Sequence, residues 1–182
     1  MITLKNKHVM NKKNLLLTLL IVFSTSLMSQ SLLKDIYIGN DSSSNSSPDN
    51  LVSFNNMAFF EADDPVFGDE LWKSDGTAAG TVMVKDINPD GDGRPDNFVV
   101  MNGVLYFTAQ TAANGEELWK TAGTTAGTVM VKDIYPGTDN AYPENLFAVG
   151  NTLYFAARTS AEGEELWKSD GTTAGTVMVK DI

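Results

Sequence analysis

The sequence has no cysteine and a single histidine, His8. Without thiols the chain can form no disulfide bond, no thiolate metal site and no cysteine nucleophile. His8 precedes the first long hydrophobic run, in a segment interpreted below as a removable leader, so the rest of the chain has no imidazole to act as a base or a metal ligand. Catalysis or metal binding would have to rely on carboxylates, amides and hydroxyls.

Basic residues are also scarce, since 13 lysines and arginines stand against 23 aspartates and glutamates. Four of the basic residues precede Gln30, which leaves nine against 23 in the rest of the chain and a net charge of −14 there. Such a surface repels the phosphates of nucleic acids and anionic lipids and favours cations or basic partners. We therefore expect no nucleic-acid partner.

Only one long hydrophobic run is present. Residues 15–23 are almost entirely apolar and follow Lys12 and Lys13. A basic segment, a short apolar run and then small polar residues are typical of a secretory signal peptide, whereas a membrane span needs about 20 apolar residues. We predict that residues 1–29 are a signal peptide, with Met10 as a possible true start, and that the mature protein is secreted or at the cell surface with no membrane span.

Tryptophan is rare as well, and its three copies mark a repeat. Trp72, Trp119 and Trp167 are 47 and 48 residues apart, a period typical of propeller blades and other arrays. Nearly the same eighteen residues surround each tryptophan, at 70–87, 117–134 and 165–182. The repeat therefore decides the fold class.

The domain organisation follows from this period. We predict a repeat array over residues 30–182, in which residues 33–36 match the end of the repeat and form an orphan strand. The complete repeats end near Ile87, Ile134 and Ile182. The serine-rich stretch after residue 40 keeps the register of the array and is interpreted as a long loop within it.

Each repeat carries the signals of four antiparallel strands. In the second repeat an apolar run ends at Asn102-Gly103, the strongest two-residue hairpin signal, and an aromatic and β-branched run follows. Glycine-rich turns then separate two more short apolar runs. We predict an all-β, β-propeller-like array of about three four-stranded antiparallel blades. Because closed propellers have about four to eight blades, we expect the array to belong to a larger propeller with further blades of the same repeat.

The repeated segment resembles a known motif. Residues 70–77 and 165–172 both read Glu-Leu-Trp-Lys-Ser-Asp-Gly-Thr, and the middle copy has Ala122 in place of the aspartate. These copies are similar to the ELWxxDGT repeat, sometimes labelled hyalin-like. The resemblance implies a secreted bacterial protein with β-propeller-like repeats, and it supplies no catalytic residues.

Adjacent carboxylates recur at the start of the motif, as Asp69-Glu70, Glu116-Glu117 and Glu164-Glu165. Glycoside hydrolysis uses two carboxylates about 5–9.5 Å apart. Neighbours on a strand point to opposite faces, so the two members of a pair cannot cooperate in this way. We expect a solvated strand entrance here and assign no catalytic residue and no cofactor.

The three tryptophans allow two interpretations. Exposed indoles could line a carbohydrate-binding groove, or each indole could fill the core of its own blade. Burial of an indole contributes about 4–6 kcal/mol as an upper estimate, and a repeat unit must bury a large side chain against its neighbour. We favour the core position.

One segment resembles a calcium-binding loop. Asp86, Asn88, Asp90 and Asp92 place oxygen-bearing side chains at alternate positions, and Gly91 occupies the sixth position as in an EF-hand loop. The closing position is Asn97 instead of glutamate, and the equivalent loops lack the pattern. The segment can therefore be interpreted either as a calcium site or as an ordinary polar turn.

Length varies in one set of loops only, between the aspartate that ends the fourth strand and the proline of the next repeat. Insertions at equivalent loops of an array map to one face, which is often the binding face. These loops carry Asp41, Asp90, Asp92 and Asp139. The hypothesis is an acidic rim that binds cations or a hydroxyl-rich partner, although polar loops can also simply drift in length.

Together these features favour a secreted, non-enzymatic repeat module for extracellular binding or cell-surface adhesion, whose partner is a glycan or a protein. The alternative is part of a propeller-based enzyme that acts on extracellular polysaccharide, with catalytic residues outside this chain. Depolymerisation of a polysaccharide would support the enzyme, and retention without cleavage would support the binding module.

Overall fold

The computed structural model describes residues 32–38 and 45–182. The predicted signal peptide and Asp41 lie outside the described residues. Twelve strands and no helix occur in these two ranges, so the described chain contains no helix that could cross a membrane.

The strands form three sheets of four, each built from consecutive strands in antiparallel order. Blade 1 contains β1 (Asp49–Phe54), β2 (Met57–Asp64), β3 (Gly68–Ser74) and β4 (Val82–Lys85). Blade 2 contains β5 (Asp96–Met101), β6 (Val104–Thr111), β7 (Gly115–Thr121) and β8 (Val129–Lys132). Blade 3 contains β9 (Glu144–Val149), β10 (Thr152–Thr159), β11 (Gly163–Ser169) and β12 (Val177–Lys180). The predicted all-β, propeller-like array of three four-stranded blades is confirmed.

The predicted hairpin between the first two strands of blade 2 is also present. Asn102 and Gly103 have φ angles of 53° and 72°, and they join Met101 to its partner Val104. Two consecutive positive φ angles define the turn that matches the twist of paired strands, and asparagine and glycine adopt them with the least strain.

The turn between the third and fourth strands is closed from inside by a pair of hydroxyl groups. In blade 2, Thr121 Oγ1 and Thr128 Oγ1 lie 2.7 Å apart and both residues are fully buried. Ser74 with Thr81 and Ser169 with Thr176 repeat the same contact at the same distance. The glycine- and threonine-rich sequence is thus explained by the requirements of the turn.

The hydrophobic core lies between neighbouring blades. Phe59 and Leu71 of blade 1 pack in one cluster with Leu105, Phe107 and Trp119 of blade 2. The side chains of Trp72, Trp119 and Trp167 are only 6%, 7% and 6% exposed. The core position of the tryptophans is therefore confirmed, and no exposed indole groove exists at these residues.

Each tryptophan is covered by a lysine that comes from the preceding repeat. Lys85 at the end of β4 places its Nζ 5.6 Å from the ring centre of Trp119 and donates a hydrogen bond to the carbonyl of Thr128 at 2.9 Å. Lys132 does the same to Trp167 and Thr176, at 5.5 Å and 2.8 Å. We call this contact the lysine joint. It combines a cation–π contact with a charge-assisted hydrogen bond and ties each blade to the next.

Residues 33–36 provide the lysine joint for blade 1. Lys34 lies 5.6 Å from the ring centre of Trp72 and donates to the Thr81 carbonyl at 2.6 Å, while Ile36 is buried. We predicted a strand here, but the segment is irregular. Among the described residues, no strand pairs with this segment, so it forms no ladder.

The expectation of a solvated strand entrance is wrong for the second carboxylate of two pairs. Glu70 and Glu117 are fully buried. Glu117 accepts hydrogen bonds from the backbone N–H groups of Ile134 and Tyr135, both at 2.9 Å, and Glu70 accepts equivalent bonds from Ile87 and Asn88. Burial raises the pKa of each glutamate to about 7, and the backbone hydrogen bonds oppose part of that rise. These carboxylates hold in place, by hydrogen bonds, the backbone that follows the fourth strand of blades 1 and 2.

Candidate ligand-binding cleft

The first strand of each blade begins with an acidic residue and an asparagine. Asn50, Asn97 and Asn145 have φ angles of 55°, 55° and 58°, in the left-handed region that asparagine tolerates better than most residues. The strand register is irregular at each of these points. Asp49 and Asp96 stabilise the bend because their Oδ1 atoms accept the following asparagine N–H at 2.8 Å and 2.6 Å.

These strand beginnings come together because β1 contacts β5 and β5 contacts β9. They form a cavity of about 410 Å³, which we call the axial cavity. Its lining comprises Asn50, Leu51, Val52, Asp96, Asn97, Phe98, Asn145 and Leu146. The three blades therefore contribute equivalent asparagines to one space.

A second cavity, of about 400 Å³, shares Asp96 with the first, and we call it the acidic cavity. Its lining comprises Glu61, Arg94, Asp96, Gln110, Glu116, Asn140 and Tyr142. The two cavities together are called the cleft below. Carboxylates, amides, one guanidinium and one phenol ring meet in this space.

The acidic cavity is not repeated around the array. Glu61, Thr108 and Ala156 occupy the same position of the second strand in the three blades, each opposite the acidic residue that begins the first strand. Glu61 accepts a hydrogen bond from Asn50 Nδ2 at 3.1 Å, whereas Asn97 donates to Thr108 Oγ1 at 3.3 Å. The same backbone position thus presents a carboxylate, a hydroxyl or a methyl group.

The loops between blades hold one wall of the acidic cavity in place. Asn140 Oδ1 accepts the backbone N–H of Glu116 at 2.8 Å, and the N–H of Ala141 donates to the Glu116 carbonyl at 3.0 Å. One repeat earlier, Asp92 Oδ1 accepts the N–H of Asp69 at 3.4 Å. Each loop is therefore anchored to the third strand of the blade before it.

Tyr142 presents an aromatic surface at the edge of the cleft. It precedes a proline, has a φ of 45° and is 44% exposed. The guanidinium carbon of Arg158 lies 4.4 Å from its ring centre, so the cation orients the ring by stacking on it. Arg94 occupies the equivalent position one repeat earlier, with a φ of 46°.

Two carboxylates of the cleft, Glu61 and Glu116, have raised pKa values. Burial, followed by the negative charge of Asp69, raises the pKa of Glu61 to about 7 against the opposing hydrogen bond from Asn50. Burial also raises the pKa of Glu116, with opposition from the Thr108 hydroxyl and a further rise from the charge of Asp96. The crowding of negative charge favours a cation or a ligand rich in hydrogen-bond donors.

Two of the four side chains of the predicted calcium loop, Asn88 and Asp92, have partners within the protein. Asn88 Nδ2 donates to the Asp92 carbonyl at 2.9 Å, and Asn88 Oδ1 accepts the N–H of Ala112 at 3.1 Å. Asp92 pairs with Arg94 at 3.2 Å, and Asp90 is exposed. Within residues 32–38 and 45–182, no group of three or more histidine, cysteine, aspartate or glutamate residues is placed to hold a metal ion. Calcium binding through Asp86, Asn88, Asp90 and Asp92 stays a prediction.

The length-variable loops do reach the cleft, but through residues other than the predicted aspartates. Arg94, Asn140 and Tyr142 line the acidic cavity, whereas Asp90 and Asp139 are exposed residues that line neither cavity. The predicted binding face thus includes loops that reach the cleft, and a role for Asp90 and Asp139 in binding stays a prediction.

Sequence reasoning did not single out Glu61 or Asp96, and it considered Glu116 only as one member of an adjacent pair with Glu117. For Glu61 the available signal is divergence between repeats at equivalent positions, whereas Asp96 and Glu116 have acidic counterparts in all three repeats. Glu61, Thr108 and Ala156 differ chemically inside an array whose motif residues are nearly identical. Where residues at equivalent positions of the repeats differ in chemistry, the fold does not require a particular side chain, and such positions are available for contact with a ligand.

Comparison with known proteins adds little to this geometry. No family model matches the chain, and no curated protein sequence matches it. Among solved structures, the chain is similar to an α-L-arabinofuranosidase from Clostridium thermocellum, with 17% sequence identity and a TM-score of 0.37. The match covers 72% of this chain and 49% of that enzyme, so the chain spans about half of the enzyme's length.

Proposed function

We propose that this chain is a secreted, non-enzymatic repeat module of the ELWxxDGT type that binds an extracellular glycan through the cleft and serves in cell-surface adhesion. The observation that carries the proposal is the lining of the acidic cavity, where three carboxylates, two amides, a guanidinium and an exposed tyrosine meet. Binding sites typically combine an apolar or aromatic surface with a few convergent polar groups.

The cleft chemistry suits a sugar better than other ligand classes. Carboxylate oxygens of Asp96 and Glu116 accept hydrogen bonds from hydroxyl groups, while Gln110 and Asn140 can both donate and accept. The exposed ring of Tyr142 offers a flat apolar face against which a pyranose ring can pack. The net negative charge of the chain disfavours nucleic acids as partners, because it repels their phosphates.

One observation favours a second candidate, an enzyme that acts on extracellular polysaccharide. Glu61, with a pKa of about 7, lines the same cavity as Asp96. Glycoside hydrolysis uses two carboxyl groups, one as the general acid and the other as the nucleophile or base, and a raised pKa suits the general acid. In this version Glu61 would donate a proton to the leaving oxygen and Asp96 would act as the nucleophile or base.

The array is proposed to work within a larger propeller. Closed propellers have about four to eight blades, and three are described here. Further blades of the same repeat would extend the ring of asparagines around the axial cavity. A protein partner in place of a glycan would use the same acidic surface through its basic residues.

Retention of the protein on a panel of immobilised polysaccharides tests the proposal. We expect the native chain to be retained without shortening the polysaccharide, and Asp96→Asn and Glu116→Gln to weaken retention at least tenfold. Glu164→Gln is the matched control, because Glu164 occupies the position of Glu116 in blade 3, is exposed and does not line the cleft. Equal retention of all variants contradicts the site.

The same panel separates the two candidates. If the native chain releases shorter saccharides and the Glu61→Gln variant does not, the enzyme is the correct candidate and the binding module is not. Retention of a basic protein but of no glycan would assign the cleft to protein recognition.

A further inference from the structure

The dipeptide Asn-Gly occurs twice in the chain, and the structure places the two copies in opposite surroundings. Asn102 and Gly103 form the turn between β5 and β6, and both are exposed. Asn114 and Gly115 lie where the loop after β6 leads into β7, and there the asparagine is partly buried and the glycine is buried. One molecule therefore presents the same local sequence in an open and in an enclosed place.

Asn-Gly is the dipeptide at which an asparagine side chain reacts most easily with its own main chain. The glycine nitrogen attacks Cγ of the asparagine, a bond between these two atoms forms, and the Cγ–Nδ2 bond breaks. The proton of the attacking nitrogen leaves with the amide group as ammonia. Water then opens the resulting succinimide ring, at the side-chain carbonyl to give aspartate or at the main-chain carbonyl to give isoaspartate. Glycine favours the first step because it has no Cβ to obstruct the approach.

The exposed copy meets few obstacles to this reaction. Apart from its two chain neighbours, no atom of the described residues lies within 4 Å of the position that a Cβ at Gly103 would occupy. The turn also lies at the end of a hairpin, beyond the last ladder pair, Met101 and Val104. Such a turn opens locally without loss of the buried contacts of its blade. The Asn102 side chain can therefore reach the glycine nitrogen while the rest of the chain stays folded.

The enclosed copy is held in an unreactive arrangement. Asn114 Nδ2 donates a hydrogen bond to Asp133 Oδ2 at 3.2 Å, and Asn114 Oδ1 accepts one from the hydroxyl of Thr111 at 3.4 Å. The backbone of Asp139 lies against Gly115. The asparagine side chain would have to give up both hydrogen bonds to fold back on the glycine nitrogen, in a place that the loop before blade 3 encloses.

We propose that Asn102 is a site of covalent modification, at which the folded chain loses ammonia and acquires aspartate or isoaspartate, and that Asn114 is protected from the same reaction. Water is the only co-reactant, and it has free access to an exposed turn. Either product replaces a neutral amide by a carboxylate and so adds one negative charge to a chain that is already acidic.

The corresponding turns of blades 1 and 3 are built differently. Asn55 and Asn56 form the turn of blade 1, and Gly150 and Asn151 form that of blade 3. Each of these asparagines is followed by a residue that has a side chain. The Cβ of the following residue obstructs the attack of its nitrogen. Among the three equivalent hairpins, the modification is thus confined to blade 2.

The turn sets the register of side chains that pack on both sides of blade 2. Met101 belongs to the core cluster shared with blade 3, and Leu105 belongs to the one shared with blade 1. Isoaspartate carries the main chain through its side chain and so lengthens the turn, whereas aspartate leaves the main chain unchanged. A shift of register moves strand side chains to the opposite face of the sheet. We therefore expect isoaspartate, and not aspartate, to destabilise blade 2.

Peptide mapping by mass spectrometry of the full chain, incubated at mildly alkaline pH for several weeks, tests the proposal. In the folded chain we expect the amide of Asn102 to be lost at least tenfold faster than that of Asn114. In concentrated urea the two rates should become similar, because the fold no longer distinguishes the two dipeptides. Asn55 and Asn151 should react more slowly than Asn102 in both samples.

Equal rates at Asn102 and Asn114 in the folded chain, faster loss at Asn114, or an Asn102 that stays intact while the urea sample reacts would overturn the proposal. The Asn102→Asp variant reproduces the aspartate product and should melt with the native chain. The isoaspartate form, separated from it by chromatography, should melt at a lower temperature. An isoaspartate form that melts with the native chain would refute the role of the turn in setting the register.

Discussion

The substitution Glu117→Gln removes a single negative charge from the interior of blade 2. Both carboxylate oxygens are occupied, since they accept the backbone N–H groups of Ile134 and Tyr135 at 2.9 Å. Glutamine has nearly the same shape but only one acceptor oxygen. Its amide N–H₂ would therefore face one of the two backbone N–H groups, which loses its partner in a fully buried place.

We expect this change to lower the free energy of unfolding by about 1–3 kcal/mol, the cost of leaving one buried donor unsatisfied. Glu165→Gln is the matched control in blade 3. Glu165 is partly exposed and accepts one hydrogen bond, from Ile182 at 3.0 Å, so water can replace the lost acceptor. We expect the control to cost less than about 0.5 kcal/mol.

The effect of Glu117→Gln also depends on pH. Burial raises the pKa of Glu117 from 4.5 to about 7 in the folded chain, so the folded state binds the proton more tightly than the unfolded state. The stabilisation linked to this proton is fully present below pH 4.5 and is lost as the pH rises through about 7. Because glutamine does not titrate, the difference between native chain and variant should be larger at pH 5 than at pH 8.

Urea unfolding followed by tryptophan fluorescence at the two pH values measures this difference. Other buried acids, including Glu70, titrate equally in both proteins, and their contributions cancel. A difference that is the same at pH 5 and pH 8 would contradict the assigned pKa, and a variant as stable as the native chain would refute the hydrogen-bonding role of Glu117.

Three further predictions concern the blades and loops. Trp119→Ala should lower the free energy of unfolding by about 3–5 kcal/mol, and iodide should quench Trp119 poorly in the folded chain, because the indole is buried between two blades. Gly115→Ala should lower the free energy of unfolding by about 2 kcal/mol, because Gly115 has a φ of 62° and the Asp139 backbone crowds the position of the new methyl group. Gly163→Ala is the control, because Gly163 has a φ of 78° but open space around it, and it should lower the free energy of unfolding by about half as much. Thermal unfolding measures both. Replacement of Asp90 and Asp92 together by asparagine should abolish any calcium-dependent rise in melting temperature. The melting temperature without calcium should stay nearly unchanged. If calorimetry detects no effect of calcium on the native chain, the calcium prediction is wrong.

The blades could be predicted from the sequence because their determinants are local or repeated. The Asn102-Gly103 turn fixes a hairpin by itself, and a tryptophan that recurs every 47 or 48 residues must fill an equivalent place in every unit. Strand alternation also predicted that Glu116 and Glu117 lie on opposite faces.

The burial of Glu117 and the cleft could not be predicted in the same way. Whether a strand residue meets water depends on what covers it, and Glu117 is covered by the chain that follows β8, whose path the local pattern does not reveal. The cleft combines Glu61 of blade 1 with Glu116 of blade 2 and Tyr142 of the loop before blade 3. Their proximity depends on how blades are arranged around an axis, and a repeat period contains no information on that arrangement.

The lysine joints explain how such an array can change its chemistry without changing its shape. Their hydrogen-bond acceptors are backbone carbonyls, which every blade possesses as soon as its turn has folded, whatever side chains it carries. A further copy of the repeat therefore makes the same lysine joint with its neighbours. Substitutions away from the lysine joint leave the hydrogen bond between the blades unchanged. An added copy of the repeat can thus join the array through the same contacts, and Glu61, Thr108 and Ala156 show that one strand position of the array accepts three different side chains.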